Sequence, residues 1–135
     1  MISAVTPEQL EMVWPHFLPW VEKGLRHGQG DSLAPCDIYH GIASGQMSFW
    51  VAHKNEKLSG GMVLEVNQHP RAKVVFVVLL VGENFDEWVD EMEAALMNYR
   101  DINGADSIQA SCRKGMVKKL MQRGWKQKAV IMESP

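Results

Sequence analysis

The spacing of apolar positions changes several times along the chain, and each change marks an element. Val74–Val81 is an unbroken apolar run, rich in β-branched residues and too short to cross a membrane. It predicts a strand buried on both faces. Gly82-Glu83-Asn84 reads as a turn. Phe85, Trp88, Val89, Met92, Ala95, Leu96, Tyr99 and Ile102 then recur at helical spacing, one apolar stripe stopped by Gly104. A buried strand, a tight turn and an amphipathic helix form a unit that in many folds holds an anionic cofactor at the helix N-terminus.

Upstream, Thr6-Pro7-Glu8-Gln9 is a helix start, with Thr as cap, Pro at the first helical position and Gln three residues after the cap. Leu10, Val13 and Trp14 follow on one face. Pro15 and Pro19 break the pattern and predict a kinked helix or two short ones. His27-Gly28-Gln29-Gly30-Asp31 reads as a loop, and Pro35 opens a second helix with the stripe Ile38, Tyr39 and Ile42, closed by Gly45. Met47–His53 and Leu58–Gln68 then read as a hairpin around the polar turn Lys54–Lys57. Gly60-Gly61 inside the returning strand predicts a bulge or a close approach of another backbone.

After the long helix come a strand at Ser107–Cys112, a short helix at Lys114–Arg123 with Met116, Val117, Leu120 and Met121 inward, and a last strand at Lys128–Glu133. The expected order is α-α-β-β-β-α-β-α-β, one domain over residues 1–135.

The net charge of −2 gives no reason to expect a nucleic-acid or membrane partner. Cys36 and Cys112 are far apart, without metal-ligand spacing, and read as reduced thiols. The opening residues carry Glu8 and Glu11 and no basic start, so no signal peptide is expected and the protein reads as intracellular and cytoplasmic. Charge is divided by element. Glu83, Asp86, Glu87, Asp90, Glu91, Glu93, Asp101 and Asp106 surround the long helix against Arg100 alone. Arg113, Lys114, Lys118, Lys119, Arg123, Lys126 and Lys128 surround the short one without an acid between them. These are either two solvated helix faces or, at Arg113, Lys114, Lys118 and Lys119, a surface for phosphate or an acidic protein.

The element order resembles the GNAT superfamily of N-acetyltransferases. Val5-Thr6-Pro7-Glu8-Gln9, Val13-Trp14-Pro15, Gly45-Gln46-Met47 with Trp50-Val51-Ala52, Asp86-Glu87-Trp88, and the segment from Arg113-Lys114-Gly115-Met116 to Gly124-Trp125 resemble the small GNAT-like proteins of bacteriophages. The resemblance implies an α+β fold, a mixed, mainly antiparallel sheet with helices on both faces. It implies acetyl-CoA as cofactor and an amine of a small molecule or protein as acceptor. The central strand would offer main-chain groups to the pantetheine arm at Leu79 and Val81, and the turn at Gly82, Asn84 and Phe85 would cradle the pyrophosphate.

The family's turn carries an Arg or Gln and further glycines, whereas this chain has Val81-Gly82-Glu83-Asn84-Phe85-Asp86. Asn84 as cap and Glu87 at the capping-box position would take the helix's free N–H groups. Glu83, Asp86 and Glu87 would also repel a pyrophosphate. Acetyl-CoA is therefore expected to bind weakly or not at all. Glu65 and Glu83 are the candidate bases for the acceptor amine. The family's proton-donating tyrosine has no counterpart near the short helix, since the tyrosines are Tyr39 and Tyr99. The five histidines form no readable constellation. Two readings remain from the sequence: an N-acetyltransferase, and a non-catalytic phage GNAT-fold protein serving as a virion component or host-factor binder, with self-association open in either case.

Overall fold

The computed structural model describes residues 1–27 and 32–135. Of the loop expected at His27–Asp31, residues 28–31 lie outside that part. The elements are β1 (Ile2–Val5), α1 (Pro7–His27), α2 (Pro35–Ala43), β2 (Met47–Lys54), β3 (Lys57–Gln68), β4 (Lys73–Gly82), α3 (Phe85–Ile102), β5 (Ser107–Ala110) and α4 (Lys114–Gln122). The sheet runs β1-β2-β3-β4-β5, antiparallel except for the parallel β4–β5 pair. Helices α1 and α2 cover one face; α3 and α4 cover the other. The α+β architecture expected from the sequence is the one observed.

Two strands differ from expectation. The chain opens with β1, which pairs with β2 from Ile2↔Ala52 to Val5↔Phe49. Four residues that include Ser3 and Ala4 carry too little alternation to announce a strand. The expected strand at Lys128–Glu133 does not form. Residues 125–135 have no regular structure, and Val130, Ile131 and Met132 are 67%, 89% and 85% exposed. A suitable local pattern makes a strand only where a neighbour supplies the ladder.

Helix α1 is a single helix through both prolines. Pro15 and Pro19 remove the bonds to the carbonyls of Glu11 and Pro15, but all three residues lie on the exposed side, where water takes the freed oxygens. The predicted start holds, with the Thr6 N–H donating to Gln9 Oε1 at 3.0 Å. The inner face presents Leu10, Phe17, Val21 and Leu25, all buried. Phe17 meets Phe49 of β2 with ring centroids 4.6 Å apart, and Trp14 meets Tyr39 of α2 edge to face at 5.4 Å.

On the other face Phe85, Trp88, Val89, Met92 and Leu96 are buried against Met62, Leu64, Val75 and Val77, together with Met116 and Leu120 of α4. Burial of each such side chain contributes about 1.5–3 kcal/mol. Ile102 and Met121, expected inward, are 75% and 53% exposed; each falls at the C-terminal end of its helix. Among the described residues, no helix is long and apolar enough to cross a membrane.

Candidate functional site

Strand β5 accompanies β4 only from Val74↔Ser107 to Val77↔Ala110. Beyond that point β4 continues to Gly82 with β3 on one side and, among the described residues, no strand on the other. The two strands part at an irregularity. Val63 pairs with Leu79 and Leu64 with Val77, so Val78 is an extra residue on β4. A bulge of this kind bends its strand and increases the local twist. The outcome is a cleft of about 100 Å³ between Val78–Glu83 and the Ala110–Arg113 link, with Met116 of α4 at its side. Trp20, Lys23, Gly24 and Leu25 of α1 close the opposite side. Gly24 permits that closeness: a Cβ there would lie 2.6 Å from Val81 Cγ1 and 2.9 Å from Leu79 Cδ1.

The cleft ends at the turn before α3, which three contacts hold. The Glu83 N–H donates to the Ser59 carbonyl at 2.7 Å, and the Trp88 indole N–H donates to the Glu83 carbonyl at 2.9 Å. Gly82, at φ 134°, lies against Gly60. A Cβ on Gly60 would meet the Val81 carbonyl oxygen, Gly82 Cα at 2.8 Å and Trp88 Cζ2 at 2.9 Å. The paired glycines of β3 thus mark a close backbone approach, and the register also slips beside them, leaving Ser59 as an extra residue opposite Ala52/His53.

The expected side-chain cap is absent. Asn84 takes a left-handed conformation, φ 54° and ψ 43°, and makes no side-chain cap bond. Its carbonyl instead receives the Glu87 N–H at 2.9 Å. The first donors of α3 are therefore not taken by Asn84, and the competition expected from the sequence does not occur. The electrostatic part of that expectation remains, because Glu83, Asp86 and Glu87 are all exposed around the turn. Cations border the same cleft and turn. Lys119 Nζ lies 5.8 Å from the centre of the Phe85 ring, and Lys23 and Arg113 line the cleft.

Of the candidate bases, Glu83 lines the cleft at its turn end. Glu65 lies elsewhere. It pairs with Met47 and Phe76, one strand over and past the bulge, and accepts from Asn67 Nδ2 at 3.5 Å. Tyr39 packs on Trp14, and Tyr99 packs on Trp50 with centroids 6.2 Å apart; neither borders the cleft. Leu79, Val81 and Gly82 do border it, while Asn84 and Phe85 follow directly in the turn. Cys112 lines the cleft beside Met116, and burial raises its pKa above the ordinary thiol value, so it stays protonated at neutral pH. Among the described residues, no group of three or more His, Cys, Asp or Glu side chains is placed to hold a metal ion.

The two charge blocks read from the sequence meet in space. Arg123, just past α4, hydrogen-bonds both Asp90 and Glu93 of α3, which raises its already high pKa, Glu93 first and Asp90 next. The Trp125 indole N–H donates to the other Glu93 oxygen at 3.3 Å. Gly124, at φ 93°, makes the turn that brings Trp125 back. These pairs span at least thirty residues, and helical spacing carries no trace of them. Arg113, Lys114, Lys118 and Lys119 remain exposed.

No protein-family model matches the chain, and no curated protein does. Solved structures match throughout its length. A fourfold mutant of a Bacillus halodurans protein superposes with a TM-score of 0.74 at 15% identity, over 100% of this chain and 99% of that one. A GCN5-related N-acetyltransferase from Ralstonia eutropha gives 0.68 at 13% identity, over 100% and 97%. A predicted acetyltransferase from Clostridium acetobutylicum, solved with acetyl-CoA, gives 0.69 at 10% identity, over 100% and 95%. At such identities the likeness is one of fold: this chain has the fold of the GNAT acetyltransferases.

Proposed function

We propose that the chain is an acetyl-CoA-dependent N-acetyltransferase of the GNAT type, acting on an amine of a small molecule or protein. The observation that carries this reading is the parting of β4 from β5, which among the described residues leaves one side of Val78–Gly82 without a strand and leads to a helix start that the Asn84 side chain does not cap. Main chain at Leu79 and Val81 would accompany the pantetheine arm, and main chain at Gly82, Asn84 and Phe85 would receive the pyrophosphate. Lys23 and Arg113, which line the cleft, would favour the cofactor's negative charge there. Bound acetyl-CoA supplies an activated thioester. The chain's own contribution is to fix its position between two strands and keep water away. Holding two reactants in an attack geometry can by itself supply several kcal/mol.

Glu83 is the carboxylate on the cleft, at the turn end; the middle is bordered by Trp20, Cys112 and Met116. Amines with a sizeable unprotonated fraction at neutral pH are therefore the preferred acceptors, because the cleft's middle brings no strong base to them.

A second reading is a GNAT-fold binding module without turnover, a virion component or host-factor binder. The acidic turn and the absence of a tyrosine at the cleft favour it. Its partner surface would be Arg113, Lys114, Lys118 and Lys119, and reversing two of these charges should weaken a complex with an acidic protein in a salt-sensitive way.

Thermal shift with acetyl-CoA, followed by release of free CoA thiol over an amine panel, separates the two. A raised melting temperature with turnover supports the transferase. A shift without turnover on any amine favours the module, and no shift at millimolar acetyl-CoA removes the transferase.

A further inference from the structure

Strands β4 and β5 run together only over Val74–Val77, and the cleft described above lies at one end of that pairing. Another, open groove of about 600 Å³ lies at the other end, where β4 begins. Its floor includes Val74, which is 4% exposed. Ser107 is the register partner of Val74, and Gln109 follows two residues on, so all three stand on one face of the sheet. Ile108 between them packs on the α3/α4 side, which places the groove on the α1/α2 side. Pockets that take small molecules have volumes of about 300–1,000 Å³, and this one falls among them.

The groups around that floor come from three segments, each tied to the body of the protein. His69 and Arg71 belong to the connection between β3 and β4. There the His69 N–H donates to the Ala72 carbonyl at 2.8 Å, and the Gln68 side-chain amide donates to the His69 carbonyl at 2.9 Å. Ser107 and Gln109 are set by the pairing of β5 with β4. That pairing is reinforced where the Lys73 N–H donates to Asp106 Oδ2 at 2.9 Å and the Asp106 N–H to the Lys73 carbonyl at 2.7 Å. Lys128 arrives three residues after Trp125, which is tied to Glu93. The charge is of one sign: Arg71 and Lys128 line the groove, and no carboxylate does. Asp106 is engaged with the Lys73 N–H, and Glu65, a strand away on β3, accepts from Asn67 Nδ2. Among the described residues neither Arg71 nor Lys128 forms an ion pair. Two like charges sharing a groove repel, and an anion between them attracts both.

We infer that this groove binds a phosphate monoester carried on an apolar or planar body. The Arg71 guanidinium offers a forked pair of N–H donors and Lys128 a point charge. The His69 ring, the Ser107 hydroxyl and the Gln109 amide add further donors. Donors arriving from several directions suit the three terminal oxygens of a phosphate dianion better than the two coplanar oxygens of a carboxylate. A bare ion would leave most of the groove unfilled, whereas a body laid over Val74 removes apolar surface from water. The groove is distinct from the turn before α3, because Val74 precedes Gly82 by eight residues of one strand, roughly 25 Å. The inference does not depend on the acetyltransferase reading.

Proton–nitrogen correlation spectra of the full chain, titrated with phenyl phosphate, test it. The amides of Ala72, Val74, Ser107 and Gln109 should shift and saturate together, with a Kd in the millimolar range or tighter, while those of Glu83–Phe85 stay in place. Phenyl phosphate should bind about fivefold or more tightly than inorganic phosphate, which lacks the body. Benzoate, which lacks the dianion, should also bind more weakly. Arg71→Gln combined with Lys128→Gln should lose about tenfold or more in affinity. Its circular dichroism spectrum should be unchanged, since both side chains are exposed. The absence of a saturating shift in the groove overturns the proposal, and so does equal binding by the double variant. Equal affinity for inorganic phosphate would mean an adventitious ion only and overturns it as well. Equal affinity for benzoate removes the phosphate monoester, and shifts centred on Glu83–Phe85 would put the anion at the turn before α3 instead.

Discussion

The indole nitrogen of Trp88 lies 2.9 Å from the main-chain oxygen of Glu83, so the first full turn of α3 holds the turn from which the helix starts. Trp88 is 4% exposed and meets Phe85 edge to face, with centroids 4.9 Å apart. One residue therefore joins the core to the rim of the cleft.

Replacing Trp88 should show both roles. Trp88→Phe keeps an apolar ring but leaves the Glu83 carbonyl without its donor, a loss of about 1–3 kcal/mol with partial cavity formation added. Trp88→Asp places a charge in the core and should cost several kcal/mol. Urea unfolding followed by circular dichroism measures both. An unchanged midpoint for Trp88→Asp would remove Trp88 from the inner stripe of α3.

The glycine pair beneath that ring makes a second prediction. A methyl at Gly60 meets the backbone of Val81 and Gly82 as well as the Trp88 ring, and backbone does not move aside. Gly60→Ala should destabilise by about 1–3 kcal/mol, as overpacking does. Gly115 is the control: it lies within α4, and a Cβ there meets nothing within 4 Å. Gly115→Ala should be neutral or stabilise by about 0.5–1 kcal/mol. Equal midpoints for the two variants would contradict the close approach of β3 to β4.

Cys112 provides a pH test of the cleft. Burial disfavours its thiolate, so its pKa is higher in the folded chain than in the unfolded one. The reacting species in alkylation is the thiolate. The pH at which Cys112 labelling reaches half its maximal rate should therefore be higher in the native protein than in urea. For stability the sign is the same. As pH rises past the unfolded thiol's range, the unfolded chain ionises first, and native stability falls. Cys112→Ala should remove part of that alkaline loss. A native labelling profile superimposable on the unfolded one would place the thiol in open solvent.

How much of this is readable in the sequence depends on the range of the interaction. Phe85, Trp88, Val89, Met92 and Leu96 can be placed because a helical stripe repeats within a few residues, and Gly60-Gly61 stands out because glycine inside a strand is costly. The cleft is not readable: it arises where Val78 becomes an extra residue between two pairings, a matter of register between β3 and β4. The Asn84 cap fails for a local reason of another kind. A side chain of the right type caps only from an extended backbone, and Asn84 is left-handed here. The Arg123 contacts to Asp90 and Glu93 and the exposed run Val130–Met132 both depend on how separate segments meet, which no spacing records.

The turn also decides how tightly acetyl-CoA can be held. With no Asn84 cap to displace, the obstacle is charge alone: Glu83, Asp86 and Glu87 around donors that a pyrophosphate would use. A negative charge at a helix N-terminus is stabilised by about 0.3–1 kcal/mol, so each acid already there takes up stabilisation of that order that a pyrophosphate would otherwise gain. Native protein should therefore bind with a Kd of roughly 0.1 mM or weaker, about −5.5 kcal/mol. Glu83→Gln should tighten binding by about two- to fivefold, the equivalent of one such charge. Asn84→Gly should change little, since glycine accepts the left-handed backbone and no cap is lost. Raising salt should shrink the advantage of Glu83→Gln, because screening weakens the repulsion it relieves. Titration calorimetry on the three proteins checks each point. Micromolar binding by the native chain would mean that the neighbouring cations outweigh the acids, and a large gain from Asn84→Gly alone would mean that the Asn84 side chain obstructs the donors after all.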